Sequence, residues 1–136
     1  MKHILIVSHC SLASSYIETA AMIAGKQSLE EVHSFSMREG EDFEEFVEEI
    51  SKYVAQDVDG EYLVLADLFG ASPCNSTCMA MRGKNYRIVT GLNLGMLLEA
   101  LFSLESLSLD ELSEKLMERG KEGIQVVYIP DNSSKR

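Results

Sequence analysis

His9 and Cys10 stand side by side in "ILIVSHCSLASS", directly after a short apolar run. An imidazole placed between a strand end and a helix start can carry a phosphoryl group on a ring nitrogen. The free N–H groups and positive dipole end of the helix favour the anion that results. The thiol of Cys10 is the rival nucleophile at the same turn. A phosphatase loop of the form C-x-x-x-x-x-R would place arginine at position 16, and Tyr16 stands there instead. Two further residues bear on the choice. Asp67 follows a later apolar run, where a carboxylate bonded to one imidazole nitrogen would fix the tautomer and raise the nucleophilicity of the other. Gly70, Ala71 and Ser72 in "DLFGASP" could offer backbone N–H groups and a hydroxyl to the same anion. On position alone two structural readings stand beside these, with His9 as a plain turn histidine and Asp67 as a cap of the 68–73 turn.

The elements that must position these residues are legible as an alternation of period. Residues 2–7, "KHILIV", are apolar on both faces, the pattern of a central parallel strand. Leu12, Tyr16, Ala20 and Ile23 then recur at helical spacing up to Gly25. A second strand is expected around 31–37, followed by an amphipathic helix carrying Phe43, Phe46, Val47, Ile50 and Val54, its glutamates forming a solvated face. A third strand spans 61–67, and Ser72 with Pro73 is expected to start the next helix, Ser72 as its cap. "YRIVTG" supplies a fourth strand, Asn93 caps a leucine-striped helix, and Ser108 with Glu111 forms a capping box. "IQVVYIP", ending at residue 130, is expected to be a fifth strand before the polar tail 131–136.

Such alternation predicts one domain over 1–130, an open, mostly parallel five-stranded α/β sheet with helices on both faces. In that architecture ligands gather at the carboxyl ends of strands, so "SHCS", "DLFGASP" and "TGLN" share one edge.

Composition narrows the function. Twelve basic against 22 acidic residues give a net charge of −10, which disfavours nucleic acid and anionic membrane surfaces. Three cysteines, Cys10, Cys74 and Cys78, form no C-x-x-C pair and suit a reducing, cytoplasmic setting, with Cys74 and Cys78 expected as packed core thiols. No apolar run approaches the roughly 20 residues that span a bilayer. His3 and His33 lie in strand patterns and are expected to be structural, without a metal site. Nucleotide binding is poorly supported, because the glycine turns lack the phosphate-loop lysine and the G-x-G-x-x-G spacing. A response-regulator receiver would accept phosphate on Asp67 but needs an acidic cluster after the first strand to hold Mg²⁺, where this chain has Ser8 and His9.

In order, spacing and length, "VSHCSLASS", "LADLFGASPCN" and "VTGLNLGMLLEAL" resemble the EIIA component of the mannose-type sugar phosphotransferase system, over nearly the whole chain. The resemblance implies a cytoplasmic homodimeric phosphocarrier. It would take a phosphoryl group from phospho-HPr onto His9 and pass it to a histidine of EIIB, serving the membrane sugar permease indirectly and needing no cofactor. It makes Asp67 the orienting carboxylate and puts Gly70, Ala71 and Ser72 beside the phosphate; Cys10 and Ser11, where the helix after His9 begins, are further candidates to stabilise it. It also implies that the last strand is antiparallel and exchanged in the dimer. Cys10 stands where the family usually has glycine, and Ala71 where it often has a second one. Two alternatives remain: a regulatory phosphohistidine domain of the same fold, related to the phosphotransfer subunit of dihydroxyacetone kinase, and a thiol enzyme using Cys10.

Overall fold

The computed structural model describes residues 1–131. Four strands, β1 (Lys2–His9), β2 (Val32–Met37), β3 (Glu61–Ala66) and β4 (Asn85–Val89), form one sheet in the order β2-β1-β3-β4. All three pairings are parallel. The helices are α1 (Leu12–Ala24), α2 (Phe43–Val54), α3 (Ser72–Ala80), α4 (Leu94–Ser103) and α5 (Leu109–Glu122), with a short 3₁₀ turn at Lys26–Leu29.

Strand periodicity sorts the core into two layers. Ile4, Ile6, Leu63, Leu65 and Val89 meet one set of helices through Ala13, Ala20, Leu97, Ala100, Leu112 and Leu116. On the opposite face Leu5, Val7, Tyr62, Val64 and Ala66 meet α2 through Phe46, Ile50 and Val54. Both faces of the central strands are therefore dry, which is why they read as continuous apolar runs rather than as alternating ones. The Ser108–Glu111 capping box forms as expected, and Asn93 Oδ1 accepts from the Met96 N–H at 3.0 Å.

The expectation of five strands with an antiparallel last one is not met: the sheet has four strands and is wholly parallel. Residues 124–130 form no strand, and Ile124, Val126, Val127, Tyr128 and Ile129 are all exposed. Their β-branched and aromatic composition is a propensity only. A strand exists through its ladder to a neighbour, and no strand among the described residues pairs with the segment. Of the expected tail 131–136, residues 132–136 lie outside the described residues.

Lower down the sheet, His3 is structural as expected. Its Nε2 lies 2.7 Å from Asp57 Oδ2, and its ring stacks on Tyr62 at 4.9 Å, locking the start of β1 to the turn before β3.

Candidate active site

Register brings the site together. β1 pairs with β3 from Lys2↔Glu61 to Val7↔Ala66, so Asp67, one residue past β3, arrives beside the end of β1. Its carboxylate takes three hydrogen bonds. Oδ2 accepts from the His9 backbone N–H at 2.9 Å and lies 2.7 Å from His9 Nδ1, while Oδ1 accepts from the Leu68 N–H at 2.9 Å. An ionised carboxylate only accepts, so Nδ1 carries a proton and, in the neutral ring, Nε2 keeps its lone pair. The His9 side chain is 46% exposed and that of Asp67 only 9%. The imidazole is thus partly accessible and the carboxylate beside it shielded.

Burial works against ionisation of Asp67, yet the bonds from the His9 backbone, the His9 ring and Leu68 outweigh it and hold the carboxyl below its usual range. The unfolded chain therefore binds the extra proton. This contribution to stability is complete above about pH 4 and is lost as pH falls through the lowered folded value. Urea midpoints taken from about pH 5 down to about pH 2 are expected to fall less steeply for Asp67→Asn than for the parent chain. Parallel slopes would contradict this.

The turn after His9 takes a backbone conformation that glycine adopts most readily. Cys10 has φ +49°, the one non-glycine positive φ among the described residues. Its N–H donates to the Met37 carbonyl at 2.9 Å, and its side chain is exposed. A side chain in this region costs about 1–2 kcal/mol, while glycine adds about 0.5–1 kcal/mol of chain entropy to be lost on folding. Cys10→Gly is therefore expected to stabilise the protein by roughly 0.5–1 kcal/mol. Chemical denaturation measures this, and a destabilised variant would show that the turn carries no strain.

The remaining candidates take their places around the pair. Ser11 is the N-cap residue of α1 but makes no side-chain cap bond. That bond comes instead from Ser8, which sequence reasoning passed over: its Oγ accepts from the Ala13 N–H at 2.8 Å. A serine on the apolar, helix-facing side of a strand was the available signal. Gly70 turns the chain at φ +74°, and the Asn75 side chain holds its carbonyl at 3.0 Å. Ala71, not Ser72, caps α3, because the extended backbone (φ −88°, ψ 171°) falls at Ala71. Ser72 is the first helical residue, exposed and spared capping duty. The third turn, "TGLN", braces rather than reacts. The Leu92 N–H donates to the Ala66 carbonyl and the Tyr16 hydroxyl to the Leu92 carbonyl, both at 3.1 Å. Burial first, and then the charge of Asp67, push the Tyr16 hydroxyl pKa up. Of the expected core thiols, Cys74 is buried, its pKa raised chiefly by that burial, whereas Cys78 is exposed.

A model of the EIIA-man family, described as PTS system fructose IIA component, matches residues 3–117. The chain belongs to this family. The sorbose-specific EIIA component of Klebsiella pneumoniae is 28% identical over 117 residues, covering 85% of this chain and 84% of that one. The mannose/sorbose-specific IIA subunit from Enterococcus faecalis has the same architecture, with TM-score 0.87 and 30% identity over 96% of this chain and 98% of that one. Phosphotransferase system component EIIA from Streptococcus agalactiae follows at TM-score 0.83 and 30% identity, covering 93% and 97%. This EIIA-man chain is thus a phosphotransferase-system component of the mannose family. No helix among its described residues is long and apolar enough to cross a membrane. No group of three or more His, Cys, Asp or Glu side chains able to hold a metal gathers among them either.

Proposed function

We propose that this EIIA-man chain is a cytoplasmic phosphohistidine carrier that accepts a phosphoryl group from phospho-HPr on His9 Nε2 and passes it to EIIB for sugar uptake. The observation that carries the reading is the 2.7 Å contact between His9 Nδ1 and a carboxylate, which leaves Nε2 as the exposed nucleophile. In the transfer, the Nε2 lone pair forms a bond to phosphorus as the nitrogen–phosphorus bond of the donor histidine breaks. The positive charge that develops on the His9 ring is met by Asp67. Passage to EIIB reverses these roles. Catalysis of this kind is positioning plus electrostatics.

Two features support an anion at this place. Despite 22 acidic residues, the first turns of α1, α3 and α4 contain none, whereas α2 begins with Glu44 and Glu45. Cys10 and Ser11 at the start of α1, and Gly70, Ala71 and Ser72 at the start of α3, are the groups that would surround the phosphate. Leu68 and Phe69, next to the site in the chain, are exposed and suit contact with a protein surface. A homodimer completes the reading, supported by the exposed apolar run Ile124 to Ile129.

The test is incubation with phosphoenolpyruvate, enzyme I and HPr, followed by intact-mass measurement and transfer to purified EIIB. One acid-labile phosphate is expected, absent in His9→Ala, together with a light-scattering mass of twice the 15.1 kDa chain. An unmodified chain would overturn the carrier role. A label that EIIB cannot remove would overturn the transport role.

A further inference from the structure

We propose that the buried hydroxyl of Ser8 is a positioning group for phosphoryl transfer at His9; the proposal rests on the carrier reading above. Ser8 is the penultimate residue of β1, at the carboxyl edge of the sheet, yet it is only 1% exposed. It shares strand parity with Ile4 and Ile6, which pack on Ala13 and Ala20 of α1. Its single oxygen spans the turn on which the site depends. It accepts from the Ala13 N–H at 2.8 Å and donates to the Cys10 carbonyl at 3.3 Å.

These two bonds have separate consequences. The first caps α1 from the strand side and so holds the N-terminus of that helix against the end of β1. Because Ser8 does this, Ser11 has no capping bond to make and its hydroxyl stays at the surface beside the site. The second fixes the peptide that follows Cys10. At φ +49° this residue lacks glycine's freedom, so its carbonyl needs an external hold to stay where it is. If the carbonyl is released, Cys10 relaxes toward the ordinary backbone region and the direction of the preceding His9 side chain changes with it. The bond from the Cys10 N–H to the Met37 carbonyl remains, so the turn loosens without coming apart. A loosened turn misaligns Nδ1 against Asp67, and displacements on the order of 1 Å at a reacting group cost up to about a hundredfold in rate.

The decisive variant is Ser8→Ala in the full chain, with folding checked by circular dichroism. Phosphoryl uptake from phospho-HPr is expected to show kcat reduced roughly tenfold with KM unchanged, because the residues that would meet the donor are untouched. Adding Cys10→Gly should restore most of the rate, since glycine holds a left-handed φ without an anchored carbonyl. The ¹⁵N NMR spectrum of the His9 ring should change from one tautomer, protonated at Nδ1, to a mixture in Ser8→Ala. Should Ser8→Ala fail to fold, Ser8→Cys fills the same space with a weaker hydrogen-bonding group and is expected to lose part of the rate. A folded variant with wild-type kcat, a loss confined to KM, or no recovery in the double variant would each overturn the proposal. If the parent chain accepts no phosphate, it is the carrier reading that fails. The NMR comparison then judges Ser8 alone, and an unchanged His9 tautomer in Ser8→Ala would overturn its role.

Discussion

Asp67→Asn is expected to lower the rate of His9 phosphorylation by about 2- to 30-fold while leaving the imidazole tautomer as it is. Three N–H groups converge on the carboxylate, two on Oδ2 and one on Oδ1. An asparagine can oppose its own N–H₂ either to the pair from His9 or to the single N–H of Leu68. The second placement loses fewer bonds, so the amide oxygen faces His9 and Nδ1 still donates. What disappears is the negative charge that meets the imidazolium formed during transfer. A hydrogen bond to a charged group contributes about 1.5–3 kcal/mol against roughly 1 kcal/mol for a neutral one. The difference, about 0.5–2 kcal/mol in the transition state, corresponds to about 2- to 30-fold in rate. Rapid-quench measurement of phosphate uptake reads this directly, and ¹⁵N NMR reads the tautomer. A rate within about twofold of the parent chain would reduce Asp67 to a brace for the 68–73 turn.

The largest expected effect on stability comes from Phe46→Ala. Helix α2 carries a dense acidic face, and it holds to the sheet through Phe46, Ile50 and Val54, of which Phe46 is 0% exposed. Its ring packs in the layer that contains Leu5, Val7, Phe35 and Tyr62. Truncating a buried phenylalanine costs about 3–5 kcal/mol, a large share of the roughly 5–15 kcal/mol that holds a domain of this size together. Scanning calorimetry should show Tm lowered by about 10–20 °C. Below the new midpoint the His9–Asp67 pair at the ends of β1 and β3 stays intact, so phosphate uptake should persist in the folded fraction. A shift of only a few degrees would show that α2 repacks around the gap.

Much of this architecture is local in origin and therefore legible in the chain. The two-faced apolar strands, the stripe of α2, the Asn93 cap and the Ser108–Glu111 box each depend on residues within a few positions of one another. His9 and Asp67 were recognisable as strand-end residues for the same reason. Errors arose where a distant partner decides. The 124–130 segment has the composition of a strand, but only a neighbouring strand could make it one. Ser72 looks like a cap by residue type, yet the chain reaches its extended conformation one residue earlier, at Ala71. Ser8 carried one sign, a serine on the apolar side of a strand, but its two bonds depend on a turn that only the folded backbone defines.

The sequence by itself determined the alternating α/β order, the edge at which polar residues collect, and the two candidate nucleophiles His9 and Cys10, since hydrophobic period and residue type are short-range properties. Tertiary structure alone decided that Asp67 meets His9 across 58 positions of chain, that Cys10 is held left-handed, and that Ser8 rather than Ser11 caps α1. The physical reason is one of range. Periodicity selects the face a residue presents, whereas strand register and turn conformation select which atom waits there.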